Sequence, residues 1–134
     1  MTTRDLSNEV TMHRAATIAA WALQILLGLA IAGGGVLKLS GDPAMVQMFD
    51  DIGVGQWLRV AIGVLEIAGG VGLMIPRVRA LAARCLLILL IGATVTNVIV
   101  LATSPVVSLA LAMVALVILI LRRHELPRTT RRSP

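Results

Sequence analysis

The chain is poor in the residues that most often carry chemistry. Tyrosine is absent, phenylalanine occurs once and tryptophan twice, so aromatic residues are 2% of 134 positions. The single cysteine, Cys85, excludes an intramolecular disulfide and a Cys-x-x-Cys redox pair. Its place in an apolar run makes it a small packing residue. The two histidines, His13 and His124, lie outside the apolar runs. No metal-ligand spacing, haem motif or nucleotide-binding loop is present. Charged residues are only 14% of the chain, against roughly 25% in soluble domains. Little is left for independent catalysis, and no cofactor can be named from the residues.

Apolar residues are abundant instead. They make up 57% of the sequence, and the mean hydropathy is +0.92. Four continuous stretches, 15–37, 57–75, 80–101 and 106–121, approach or exceed the roughly 17–25 residues that cross about 30 Å of hydrocarbon. The fourth is shortest and would stand nearly upright or thin the bilayer. The apolar character is continuous rather than alternating, which argues against a barrel. The first run exceeds a 7–15-residue signal core and follows a polar segment of mixed charge, so the first helix is expected to be retained. The predicted fold is all-α: an integral membrane four-helix bundle with a short amphipathic helix in the first non-cytoplasmic loop. Residues 1–14 form a polar cytoplasmic segment, frayed or interfacial. Residues 15–121 form the membrane domain, and 122–134 a basic, disordered cytoplasmic tail.

The net charge of +5 raises nucleic acid as a partner, but the distribution speaks against it. Ten of the twelve Lys and Arg residues lie before the first span, between the second and third, or after the fourth. With four spans these regions share one side. Only Lys38 and Arg59 fall on the other, beside Asp42, Asp50 and Asp51. This is a positive-inside pattern, which places both termini in the cytoplasm and the protein in the cell (inner) membrane. The arginines of the tail can lie along anionic headgroups.

Between the first two spans, Asp42-Pro43 reads as a helix start, with Asp as N-cap and Pro at the first helical position. Met45, Met48, Phe49 and Ile52 then share one face, and Gly53 and Gly55 end the segment. Trp57 follows at the position where an indole prefers the membrane interface. Helical spacing also groups the unusual residues of the spans. Gln24, Gly28, Ile31, Gly35 and Lys38 share a face of the first, and Arg59, Gly63, Glu66 and Gly70 a face of the second. Thr94 and Asn97 share a face of the third, and Ser108, Ala112 and Ala115 form a small-residue stripe on the fourth. Mixed glycine and polar faces are what helices use to meet in lipid.

Glu66 is the most informative residue. A charged side chain at a helix centre costs roughly 2.5–3.5 kcal/mol on insertion scales, so Glu66 should face helices, a partner or water. It lies roughly 13 Å below the outer end of its span. Lys38, Glu66, Gly70, Asn97, Phe49 and Trp57 are the candidate ligand-binding residues. Gln24, Arg59 and Thr94 complete an expected polar cluster in the non-cytoplasmic half, lining a hydrated cavity roofed by the 42–52 helix. The plainer reading has a protonated Glu66 bonded to Asn97 or a carbonyl, with Lys38 and Arg59 snorkelling to headgroups.

Three segments carry a resemblance: GGGVLKLSGDP at 33–43, FDDIGVGQW at 49–57, and GVLEIAGGVGLMIPRVRALAA at 63–83. Together they resemble the DoxX and DoxX-like membrane protein family over about 15–121 in layout. Lys38, Glu66 and Gly70 match its pattern. The resemblance implies a four-helix integral membrane protein, in a family named for a small subunit associated with thiosulfate:quinone oxidoreductase and terminal quinol oxidase. It implies fold and location more than a reaction. The first reading is a membrane accessory subunit, not catalytic alone, that associates with itself or a membrane partner around a polar cluster at Glu66. The second is a quinone- or lipid-binding subunit of a redox complex, and the third a small proton-coupled transporter acting as an oligomer.

Overall fold

The protein was analysed as a computed structural model, which describes residues 2–125. The described residues form five α-helices: α1 (Thr3–Ser40), α2 (Pro43–Ile52), α3 (Gln56–Gly72), α4 (Arg79–Ile99) and α5 (Val106–Arg122), followed by a single 3-10 turn at Arg123–Glu125. The chain is therefore all-α. Two helices, α1 and α4, are long and apolar enough to cross a membrane. The α2–α3 pair, bent by 119° at its break, makes a third if taken as one broken span, and α5 is a shorter apolar helix.

Residues 3–14, read from the sequence as a frayed or interfacial segment, continue α1 without interruption. The start is held locally. The Asp5 carboxylate accepts hydrogen bonds from the Thr2 backbone N–H at 3.1 Å and from the Thr2 hydroxyl at 2.6 Å. Nothing between Thr2 and the apolar run breaks the helix, since there is neither proline nor glycine before Gly28. At 38 residues α1 is about 57 Å long, far more than the hydrocarbon core requires. The predicted disordered tail lies mostly at 126–134, outside the described residues. Arg122, assigned by composition to that tail, instead ends α5 and is buried.

The turn from α1 to α2 uses Gly41 in the left-handed region (φ 74°), a conformation glycine adopts without a Cβ penalty. Asp42 then caps α2, accepting from the N–H groups of Ala44 (3.1 Å) and Met45 (3.3 Å). Gly53 (φ 78°) and Gly55 (φ 102°) produce the sharp bend into α3.

Helices α1 and α3 run against each other through paired glycines. A Cβ on Gly28 would lie 2.9 Å from the Gly70 carbonyl oxygen, and one on Gly70 would lie 2.7 Å from that of Gly28. Two turns along, Gly35 and Gly63 repeat the arrangement at 2.7 and 3.1 Å. Only hydrogen in place of a side chain lets the backbones come this close. The second tight pair is α4 with α5, where Ala112 and Ala115 are buried with Leu86 and Leu90. Leu27, Ile31 and Leu73 join that cluster and connect the two pairs.

Candidate functional site

The glycine contacts set the register that brings Lys38 to Glu66. Lys38 is one turn beyond Gly34–Gly35 on α1, and Glu66 is one turn beyond Gly63 on α3, ten residues or about 15 Å from the start of that helix. The Lys38 Nζ donates to both carboxylate oxygens of Glu66, at 3.1 Å to Oε1 and 3.0 Å to Oε2. The side chains are only 16% and 14% exposed. Gly34 lies beside this pair: a Cβ there would stand 3.6 Å from Glu66 Oε2 and 3.9 Å from Lys38 Nζ, both ordinary contact distances.

A relay of polar contacts runs outward from the pair. Arg59 on α3 donates from Nη1 to the backbone carbonyl of Lys38, satisfying one of the carbonyls that the end of α1 leaves without a helical partner. Its Nε donates to the Gln56 side-chain oxygen at 2.6 Å. The Gln56 amide in turn donates to the Val46 carbonyl at 3.0 Å and to Asp50 Oδ1 at 2.6 Å, both on α2. Lys38, Glu66 and Arg59, picked out from the sequence, thus come together. Gln56 was missed; its signal was its place one turn before Arg59, at the start of α3.

The other candidates lie elsewhere. Gln24 is fully buried (0% exposed) and donates at 2.6 Å to the Leu73 carbonyl, just past the end of α3. Its oxygen accepts from Arg122 Nε at 3.1 Å. Gln24 is fourteen residues, about 21 Å, from Lys38 along α1, so it serves the opposite end of the helix pair. Trp21, one turn earlier, carries the guanidinium groups of Arg79 and Arg122 at 5.5 and 5.9 Å from its ring centre, within cation–π range. This second polar group gathers α1, α3, α4 and α5. Thr94 and Asn97 form a third group, because the α4–α5 packing places Ser108 opposite them. Thr94 donates to Ser108 Oγ at 3.1 Å, and Asn97 donates to the same oxygen at 3.3 Å.

A Cβ on Gly70 would meet the Gly28 carbonyl oxygen at 2.7 Å and Ala32 Cβ at 3.2 Å, so Gly70 packs against α1. Phe49 is buried on α2, whereas Trp57 is 65% exposed and donates its indole N–H to the Val54 carbonyl at 2.9 Å. An apolar wedge opens between α3 and α4.

Chemically, the Lys38–Glu66 group is a charge-compensated pair joining two helices, and the Gln24–Arg122 group is a hydrogen-bonded and stacked clamp. No match was found among curated proteins or among solved structures. The model of the DoxX-like family matches residues 22–121. That span contains α1 from its second half onward, all of α2 to α4 and nearly all of α5, including both polar groups except Trp21 and Arg122. The chain belongs to the DoxX-like family of membrane proteins.

Proposed function

We propose that this protein is a membrane accessory subunit, not catalytic by itself, in which Lys38 and Glu66 tie α1 to α3. The observation that carries the reading is the ion pair. Glu66 is the only acidic residue within the four apolar stretches, and Lys38 compensates it at 3.0–3.1 Å. A carboxylate held by two contacts is committed to positioning helices. Its partners on α1, Gly34 and Gly35, sit in the same contact that closes the helix pair.

In this reading the chain crosses the membrane four times, with α3 and α5 as minimal spans. Each has 17 residues, at the short end of the range that can cross. The arginine-rich side, with both termini, faces the cytoplasm, and α2 lies on the outer side. The lipid-facing surfaces of α4 and α5 then offer Leu, Ile and Val to lipid or to a membrane partner, including a second copy.

The test is mass spectrometry of the protein extracted gently from its native membrane, reading co-purifying chains and small molecules together. The expected result is a membrane protein or a second copy retained at fixed stoichiometry, both by the native chain and by Lys38→Met/Glu66→Leu. A stoichiometric quinone that disappears in Glu66→Ala would overturn the reading in favour of a redox subunit.

A further inference from the structure

We propose that the wedge between α3 and α4 is a binding site for one acyl chain of an anionic phospholipid, whose phosphate rests against Arg77 and Arg84. The two helices touch at their glycine-rich end and diverge from there. A Cβ on Gly72 would meet Ala82 Cβ at 2.9 Å, and one on Gly69 would meet Leu86 Cδ2 at 2.5 Å, so these contacts form the floor. Leu65 and Ala68 on α3 face Leu81, Cys85 and Ile88 on α4 across a cavity of about 480 Å³. Leu65, Leu81, Cys85 and Ile88 are exposed, so the wedge opens to the outside of the helix group.

The lining is apolar throughout, which suits hydrocarbon and offers nothing to a polar ligand. The volume lies in the range of small-molecule sites, roughly 300–1,000 Å³. A helix about 10 Å across with a 5.4 Å pitch fills roughly 420 Å³ per turn, so the wedge would take little more than one turn of a partner helix. A chain of methylenes fits the length and gains apolar contact with the lining side chains. In a bilayer most of that gain is shared with any lipid, so selectivity must come from the headgroup.

Charge supplies it. Arg77 immediately precedes the lining residue Val78, and Arg84 immediately precedes the lining residue Cys85. Both arginines are exposed, and the nearest acidic residue in sequence before Glu125 is Glu66, which follows Leu65 on α3 and is paired with Lys38. Basic residues between helices at a membrane surface recognise anionic headgroups, each contributing roughly a fivefold gain in binding. The proposal goes beyond the accessory-subunit reading and does not depend on which protein partner, if any, is bound.

The experiment is native mass spectrometry of the purified full-length protein released from nanodiscs of phosphatidylcholine and phosphatidylglycerol mixed three to one. One retained phosphatidylglycerol per chain is expected, enriched roughly 25-fold over phosphatidylcholine after correction for the mixture. Arg77→Gln/Arg84→Gln should reduce that enrichment roughly 25-fold, to the level of no preference. Ala68→Phe, which fills the wedge from an exposed position, should abolish retention while thermal unfolding stays that of the native chain; Cys85→Leu gives the same test from α4 if Ala68→Phe fails to express. Equal retention of both lipids would overturn the proposal, and so would enrichment that survives wedge filling. A second copy of the chain held in place of lipid, and lost on filling the wedge, would overturn it as well.

Discussion

The two ends of the α1–α3 pair solve the same problem by different means. Each must place polar side chains in an apolar bundle. At one end Lys38 and Glu66 pair across two helices, and Arg59 and Gln56 carry the contacts on to α2. At the other, Gln24 satisfies the Leu73 carbonyl and accepts from Arg122, while Trp21 carries two guanidinium groups. That end draws on four helices. The difference follows from what each end must join. An ion pair can lock a single helix crossing, but gathering four chain segments takes a side chain that both donates and accepts, which glutamine does.

The comparison breaks most sharply at Lys38. Lys38→Met strands Glu66 about 15 Å along α3; breaking a fully buried pair costs about 3–5 kcal/mol, and this partly buried one should approach the lower figure. Glu66→Gln should cost less, because Lys38 stands near the end of α1 and its flexible stem can carry the ammonium to the membrane surface. Thermal unfolding in nanodiscs would rank the two, and an equal or reversed order would count against the structural tie.

At the opposite end, Gln24→Leu takes away the donor to a buried carbonyl, at about 1–3 kcal/mol. Because Gln24 also accepts from Arg122, the loss should loosen α5 as well as α3, seen as faster amide exchange near residues 118–122. Exchange confined to α3 would show that the clamp does not reach α5.

The three adjacent glycines sharpen the contrast within one helix. Gly35→Ala puts a methyl 2.7 Å from the Gly63 carbonyl and should cost roughly 1–3 kcal/mol through overpacking. Gly34→Ala meets only ordinary contacts with the ion pair and should be nearly neutral. Gly33→Ala meets nothing within 4 Å and should stabilise by up to about 1 kcal/mol, the helix propensity difference. Unfolding midpoints of the three single variants in one bilayer composition would check the order.

Much of this was legible in the sequence because helical periodicity is strong in apolar runs. The Gln24–Gly28–Ile31–Gly35 face is buried as a face, and so is the Ser108–Ala112–Ala115 stripe. The start of α2 was readable from Asp42-Pro43, where a side-chain cap and a fixed φ leave little choice. What periodicity cannot give is the partner of a face. Gln24 and Lys38 lie on one face of α1, which suggested a single cluster with Glu66. Axial distance separates them, and antiparallel pairing with α3 sends Gln24 to Leu73 instead. Thr94 and Asn97 were likewise grouped by depth, whereas the α4–α5 contact gives both of them Ser108. Arg122 was hidden by its neighbours, since a basic run reads as solvated tail until α5 is seen to carry its first member inward.

The most direct test of the central claim is exchange of the two charges. Lys38→Glu alone and Glu66→Lys alone each put like charges together and should lower the unfolding temperature and the membrane yield. The combined variant Lys38→Glu/Glu66→Lys should recover most of both losses, because the pair holds α1 against α3 with either polarity. A double variant no better than the worse single variant would contradict the account. So would one that folds fully but no longer retains the native membrane partners, since Glu66 would then act through its chemistry and not through the helices it joins.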